Sequence, residues 1–105
     1  MSLLDSGSTS PDWQGHPTRI AVSGIGAHEQ HGGHLPLDTD NVMADHFARE
    51  LARELDAALL PTLRIATSLE HTGFRGSLSL RPETLMAIVR DLASELERQG
   101  FERWV

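Results

Sequence analysis

Residues 19–57 read RIAVSGIGAHEQHGGHLPLDTDNVMADHFARELARELDA, and the order of features in this stretch decides the fold class. Ile20-Ala21-Val22-Ser23 is a short apolar run that suits a buried strand. Gly24, Gly26, Gly32, Gly33 and Pro36 then interrupt any regular element, so residues 24–38 read as a loop. From Asn41 to about Ala57 the pattern changes period. Ala44, Phe47, Leu51, Leu55 and Ala58 recur at spacings of three and four and share one helical face, while Asp45, Arg49, Glu50, Arg53 and Glu54 take the other. Strand, loop and helix in that order open a parallel α/β layer.

Working outward, Leu59-Leu60-Pro61-Thr62-Leu63 reads as a second strand, followed by irregular chain to Arg75. Ser77-Leu78-Ser79-Leu80 alternates as a short strand does. A second helix starts at Pro82, a first-turn residue, with Glu83 beside the positive helix end. Leu85, Ile88, Val89, Leu92 and Leu96 form its apolar stripe, and Gly100 is a natural stop. Phe101 to Val105 begins a further strand containing Trp104. The expected class is therefore α/β with a largely parallel sheet. Residues 1–18, rich in Ser, Gly, Pro, Thr and Asp and including Trp13 and His16, are expected to be a disordered leader, with the folded domain running from 19 to 105. Because the sequence ends within an expected strand, part of the sheet and the helical stripes should lack cover, which predicts poor solubility or oligomerisation.

The bulk properties narrow the function. A length of 105 residues and 39% hydrophobic content allow one domain with a modest core, built from aliphatic side chains because aromatics are only 5%. A net charge of −6 argues against nucleic acid or an anionic membrane surface as partner. No apolar run is long enough to cross a bilayer, and residues 1–14 lack the form of a signal peptide. The absence of cysteine excludes disulfides and thiolate ligands and agrees with a cytoplasmic location.

The chemistry lies in residues 28–40. Of six histidines, His28, His31 and His34 fall within seven positions, with Glu29 and Asp40 around them. Imidazole with carboxylate is a ligand mixture for zinc, manganese or iron rather than calcium. In extended chain, residues two apart share a side, so Glu29 and His31 can face one pocket while Gln30 faces away. Asp40, at the start of the helix, could bridge two cations about 3.5–4 Å apart. The run His28-Glu29-Gln30-His31 is one residue short of the zinc-protease H-E-x-x-H motif, and the nearby glycines and Pro36 oppose the helix that motif needs. Taken singly, Asp40 reads as a helix N-cap, Gly32-Gly33 as a turn, His28 and His34 as surface histidines, and Glu70-His71 as a surface pair. It is the coincidence of Glu29, His31, His34 and Asp40 in one glycine-rich loop that points to a metal site.

Glu29-Gln30-His31-Gly32-Gly33-His34-Leu35-Pro36-Leu37-Asp38-Thr39-Asp40 resembles the signature of the creatininase (creatinine amidohydrolase) family. Ile25-Gly26, Leu60-Pro61-Thr62, Ser68-Leu69-Glu70-His71 and the stretch from Phe74 to Leu85 extend the resemblance over residues 19–105. It implies a three-layer α/β/α sandwich, present here as its N-terminal half, and hydrolysis of a C–N bond of an amide, lactam, cyclic amide or short peptide by a hydroxide bridging two divalent metal ions. By position, the metal ligands would be Glu29, His31 and the bridging Asp40, with His34 and His71 beside the substrate. The resemblance further implies a homo-oligomer, a hexamer in the family, or a complementary C-terminal chain. This sequence departs from the family at Gly33 and Arg75, where proline is usual, and Asp38 before Thr39 is a variant shared with creatininase-like peptidases of mycofactocin maturation. Family members continue past the strand at Phe101 to further histidine and glutamate ligands, so the expectation is a truncated chain. A non-catalytic metal-binding remnant, an interaction module and a split-enzyme subunit are the alternatives.

Overall fold

A computed structural model describes residues 3–105 of the protein. In chain order its elements are helix α1 (Ser10–Gly15), strand β1 (Ile20–Val22), helix α2 (Thr39–Leu55), strand β2 (Ala58–Leu59), a single 3₁₀ turn (Leu69–His71), helix α3 (Pro82–Arg98) and strand β3 (Arg103–Trp104). The sheet runs β2-β1-β3, wholly parallel, with Ala21 opposite Ala58 and Ile20 opposite Arg103. The pairing of β1 continues past its formal end, since Leu60 N–H donates to Val22 O at 2.8 Å and Leu63 N–H to Gly24 O at 3.0 Å. This is the α/β arrangement expected. The region expected to form a strand at Ser77–Leu80 makes only one antiparallel bridge, Leu78 with His28, because its other backbone groups are taken up by loops.

Helix α2 corrects the expected packing face. Its buried residues are Asn41, Ala48 and Ala52, whereas Phe47 is 63% exposed, and Leu51 and Leu55 are also exposed. Small side chains win because they let helix and sheet approach closely. The core cluster is Val22, Ala48, Ala52, Ala57 and Leu59, with Leu3 and Ile20 at its margin. Gly24 shows the same closeness, since a Cβ there would lie 2.9 Å from the Ala44 Cβ. Phe47 and Leu51, expected to face the sheet, instead line an open groove with Ile25 and Val105.

The helix also begins earlier than its pattern predicts. Thr39 N–H and its hydroxyl both donate to Pro36 O, at 3.2 and 2.6 Å, and tighten the entry turn. Asp38 occupies the N-cap position without a capping bond from its side chain, and Asp40 lies within the first turn. Asp40 is therefore not the cap. The helix ends at Asp56, left-handed at φ 50°, with Ala57 N–H donating to Ala52 O at 2.9 Å. Helix α3 starts at Pro82 and stops before Gly100 at φ 94°, as expected from those two residues.

Residues 3–18 are ordered, contrary to the disordered leader expected there; Met1 and Ser2 lie outside the described residues. Thr9 and Asp12 form a reciprocal capping box that starts α1, with Pro11 in its first turn. Leu4 is buried and its carbonyl accepts from Leu59 N–H at 2.8 Å, while the Trp13 ring meets Phe101 edge-on at 6.1 Å. The apolar anchors Leu4 and Trp13 outweigh the polar composition around them. Trp104 lies in the sheet as expected, and its indole N–H donates to Ser23 Oγ at 2.8 Å. Among the described residues no helix is long and apolar enough to cross a membrane.

Candidate metal centre

The chain leaving β1 is held along both flanks. Gly26 N–H donates to Leu63 O at 2.9 Å, Leu78 N–H to His28 O at 2.8 Å, and Gln30 N–H to Ser77 Oγ at 2.9 Å. His28 is structural: its Nδ1 lies 2.8 Å from Gly76 O, a carbonyl that only accepts. Gly32, at φ 76°, then turns the loop so that His31 pairs with Gly33 and Leu35. The positive φ suits glycine, which lacks the Cβ that opposes it.

These constraints place Glu29, His31, Asp40 and His71 around one point. Glu29 is buried, with 8% of its surface exposed, and its Oε2 has no aligned hydrogen-bond donor. His71 Nε2 stands 2.9 Å from that oxygen but off the hydrogen-bond axis, so we regard the contact as electrostatic. His31 Nδ1 lies 3.1 Å from Glu29 O and must carry a proton there, so in the neutral ring the Nε2 lone pair faces Asp40 Oδ1 at 3.3 Å. Such a second bond is how metal-binding imidazoles are commonly oriented. Asp40 comes from the first turn of α2. Glu70 Oε1 is 3.8 Å from His71 Nε2, and donor atoms of Glu29, Glu70 and His71 all lie within 4.8 Å of one another.

The electrostatics agree with a cation position. Burial pushes the Glu29 carboxyl above its ordinary value, and the hydrogen bond with neighbouring Asp40 pushes the same way, with His71 opposing. The Glu29 carbonyl bond raises the His31 imidazole, and Asp40 adds to that rise while burial opposes it. Two carboxylates in one partly dry pocket repel unless a proton or a cation lies between them. A divalent ion suits this donor set of carboxylates and an accessible imidazole nitrogen. The orphaned Glu29 oxygen and the oriented His31 thus fit the metals expected of these residues.

His34, expected beside the substrate, is not brought into this group. It is exposed in the loop and, among the described residues, makes no hydrogen bond or ion pair. Three other residues bear on the site and escaped the sequence reading. Gln30 does not face away, because the turn at Gly32 brings its amide to His71 Nδ1 at 2.9 Å. Glu70 enters through the 3₁₀ turn. Fully buried Asn41 donates to Asp38 Oδ1 and to Arg64 O, both at 2.9 Å, and so ties the start of α2 to the chain beyond β2. Its place directly after Asp40 was the one available signal.

Residues 7–105 match the family model described as Creatinine amidohydrolase. A creatinine amidohydrolase of Pseudomonas putida is 30% identical over 104 residues, covering 89% of this chain and 40% of the relative. A mycofactocin precursor peptide peptidase of Mycolicibacterium smegmatis is 39% identical over 62 residues, covering 53% of this chain and 25% of the relative. A crystal structure of creatinine amidohydrolase superposes with a TM-score of 0.90 at 26% identity, covering 99% of this chain and 44% of the other. A manganese form of creatininase shares the fold with a TM-score of 0.84 at 24% identity, covering 98% and 44%. The chain therefore spans less than half the length of these proteins.

Proposed function

This chain belongs to the creatininase family, and from that premise we propose that it supplies Glu29, His31 and Asp40 as ligands of a two-metal centre that hydrolyses a C–N bond. The observation that carries this reading is the meeting of the buried, orphaned Glu29 carboxylate with Asp40 and the His31 Nε2 lone pair. Glu29 would serve one ion, His31 the other, and Asp40 both. Zinc, manganese or iron would suit these donors, and two such ions when bound supply Lewis acidity and water activation. The chain's own part is to hold the ligands in register through the His28, Gly32 and Ser77 contacts. His71 faces Glu29 and the space beside it, where it would orient an amide, lactam or short peptide. His34, exposed at the loop rim, would meet the substrate from outside. Homo-oligomeric assembly and a cytoplasmic location belong to the same reading, the latter supported by the absence of cysteine.

A second reading rests on ligand number. Glu29, His31 and bridging Asp40 give each ion two protein ligands, against the usual three of a catalytic zinc. On that reading the 105 residues bind metal but turn over only when further donors complete the site. One experiment separates the two. The protein is loaded with zinc or manganese, metal content is measured, and release of amine from creatinine, simple amides and short peptides is followed. Stoichiometric metal with hydrolysis supports the first reading, and metal without hydrolysis supports the second. Failure to bind metal, or equal binding by Glu29→Ala, overturns both.

A further inference from the structure

The two histidines of the site are held in opposite tautomers, and the device that sets His71 is Gln30. Gly32 N–H lies 3.0 Å from Gln30 Oε1. A backbone N–H only donates, so the amide oxygen must be the end that faces it. The NH₂ end therefore faces His71 Nδ1 at 2.9 Å, and it too only donates. His71 Nδ1 must accept, which places the ring proton of a neutral imidazole on Nε2. That nitrogen faces Glu29 Oε2 at 2.9 Å and Glu70 Oε1 at 3.8 Å. His31 shows the reverse arrangement. Its Nδ1 faces the Glu29 carbonyl at 3.1 Å, which only accepts, so in the neutral imidazole its Nε2 is the free base.

We propose that Gln30 is a positioning residue that locks His71 with its proton on Nε2, making His71 a hydrogen-bond donor in the site and barring it from metal binding. The inference deepens the amidohydrolase reading and rests on it. The donor atoms of Glu29, Glu70 and His71 lie close enough to hold a cation, and the lock opposes that use by keeping a proton on the histidine nitrogen that faces the carboxylates. A substrate carbonyl reaching this point would meet an N–H rather than a lone pair. Gly32 thereby has a second use, since the same turn that folds the loop presents the backbone donor that orients the Gln30 amide.

Histidine ring ¹⁵N spectroscopy of the labelled protein at one fixed pH tests this directly, without metal and then with cadmium-113 alone. The expected result is the Nε2–H pattern for His71 in both states. His31 should show the Nδ1–H pattern, with coupling from its Nε2 to the metal. In Gln30→Glu the side chain can only accept, so His71 should shift its proton to Nδ1 or hold one on each nitrogen. Gln30→Leu should leave a mixture of tautomers. An Nδ1–H pattern for His71 in the unaltered protein, or coupling of His71 to cadmium, overturns the proposal, as does an unchanged His71 pattern in both variants. Should neither histidine respond to cadmium while His71 keeps its Nε2 proton, the metal-centre reading fails and the tautomer lock stands.

Discussion

At the scale of single residues, Glu29 brings a carboxylate into the interior with one oxygen lacking an aligned donor. Its carboxyl is raised, chiefly by burial, so the sign of its pH effect is the reverse of an ordinary ion pair. Its stabilising contribution is fully present below the unfolded glutamate value, about 4.3, and is lost as pH rises through the higher folded value. Metal-free Glu29→Gln should therefore melt at or above the temperature of the unaltered protein at neutral pH, yet lose the rise in melting temperature that zinc or manganese confers. Differential scanning calorimetry with and without metal checks both halves; a metal-induced rise retained in the variant would remove Glu29 from the ligand set. Gly26 offers a purely steric test, since a Cβ there would fall 1.8 Å from Asn41 Oδ1 and 3.0 Å from Asn41 Cα. Gly26→Ala should cost about 1–3 kcal/mol in denaturant unfolding, and an unchanged midpoint would contradict the close approach. The proximity of Glu29, His31 and Asp40 was legible in the sequence because one short loop and the helix start carry them all. Gln30, Glu70 and Asn41 were not, because their partners lie across a turn or on a distant segment, and periodicity is silent about both.

At the scale of elements, the sequence pattern located both long helices and the central strand but misassigned the buried face of α2. Hydrophobicity favours the face with Phe47, Leu51 and Leu55, while the observed packing favours the alanine face because it admits the closest contact between helix and sheet. Ala52, fully buried, is the sensitive position. Ala52→Leu should destabilise by about 1–3 kcal/mol through overpacking, whereas Leu55→Ala, on an exposed residue, should change the urea midpoint little. The helix end makes the opposite prediction. Asp56 adopts a left-handed conformation that costs a residue bearing a Cβ, and its carboxylate, 3.7 Å from His16, is largely exposed. Asp56→Gly should thus stabilise by about 0.5–1 kcal/mol, read as a higher urea midpoint; a fall would show that the His16 contact outweighs the backbone. Helix α1 escaped composition-based reading, although the Thr9–Asp12 spacing is itself a capping-box signal.

At the scale of the whole molecule, Ile25, Phe47, Met86 and Val105 are each more than half exposed, and Leu96 is the one buried residue of α3. Exposed apolar area of this kind drives association. Light scattering of the purified protein should report species above 11.5 kDa, and Phe47→Glu should shift them toward monomer without altering metal content. A monodisperse monomer before substitution would contradict this. The pairing of β1 carries a consequence for how the protein is made. One edge pairs Ala21 with Ala58, and the other pairs Ile20 with Arg103. On the ribosome, the first edge can close once β2 has emerged, but the second must wait for β3, which lies far later in the sequence at Arg103–Trp104. During that interval β1 presents a bare row of amides and carbonyls, so the nascent chain has most need of a chaperone between the synthesis of residues 60 and 103.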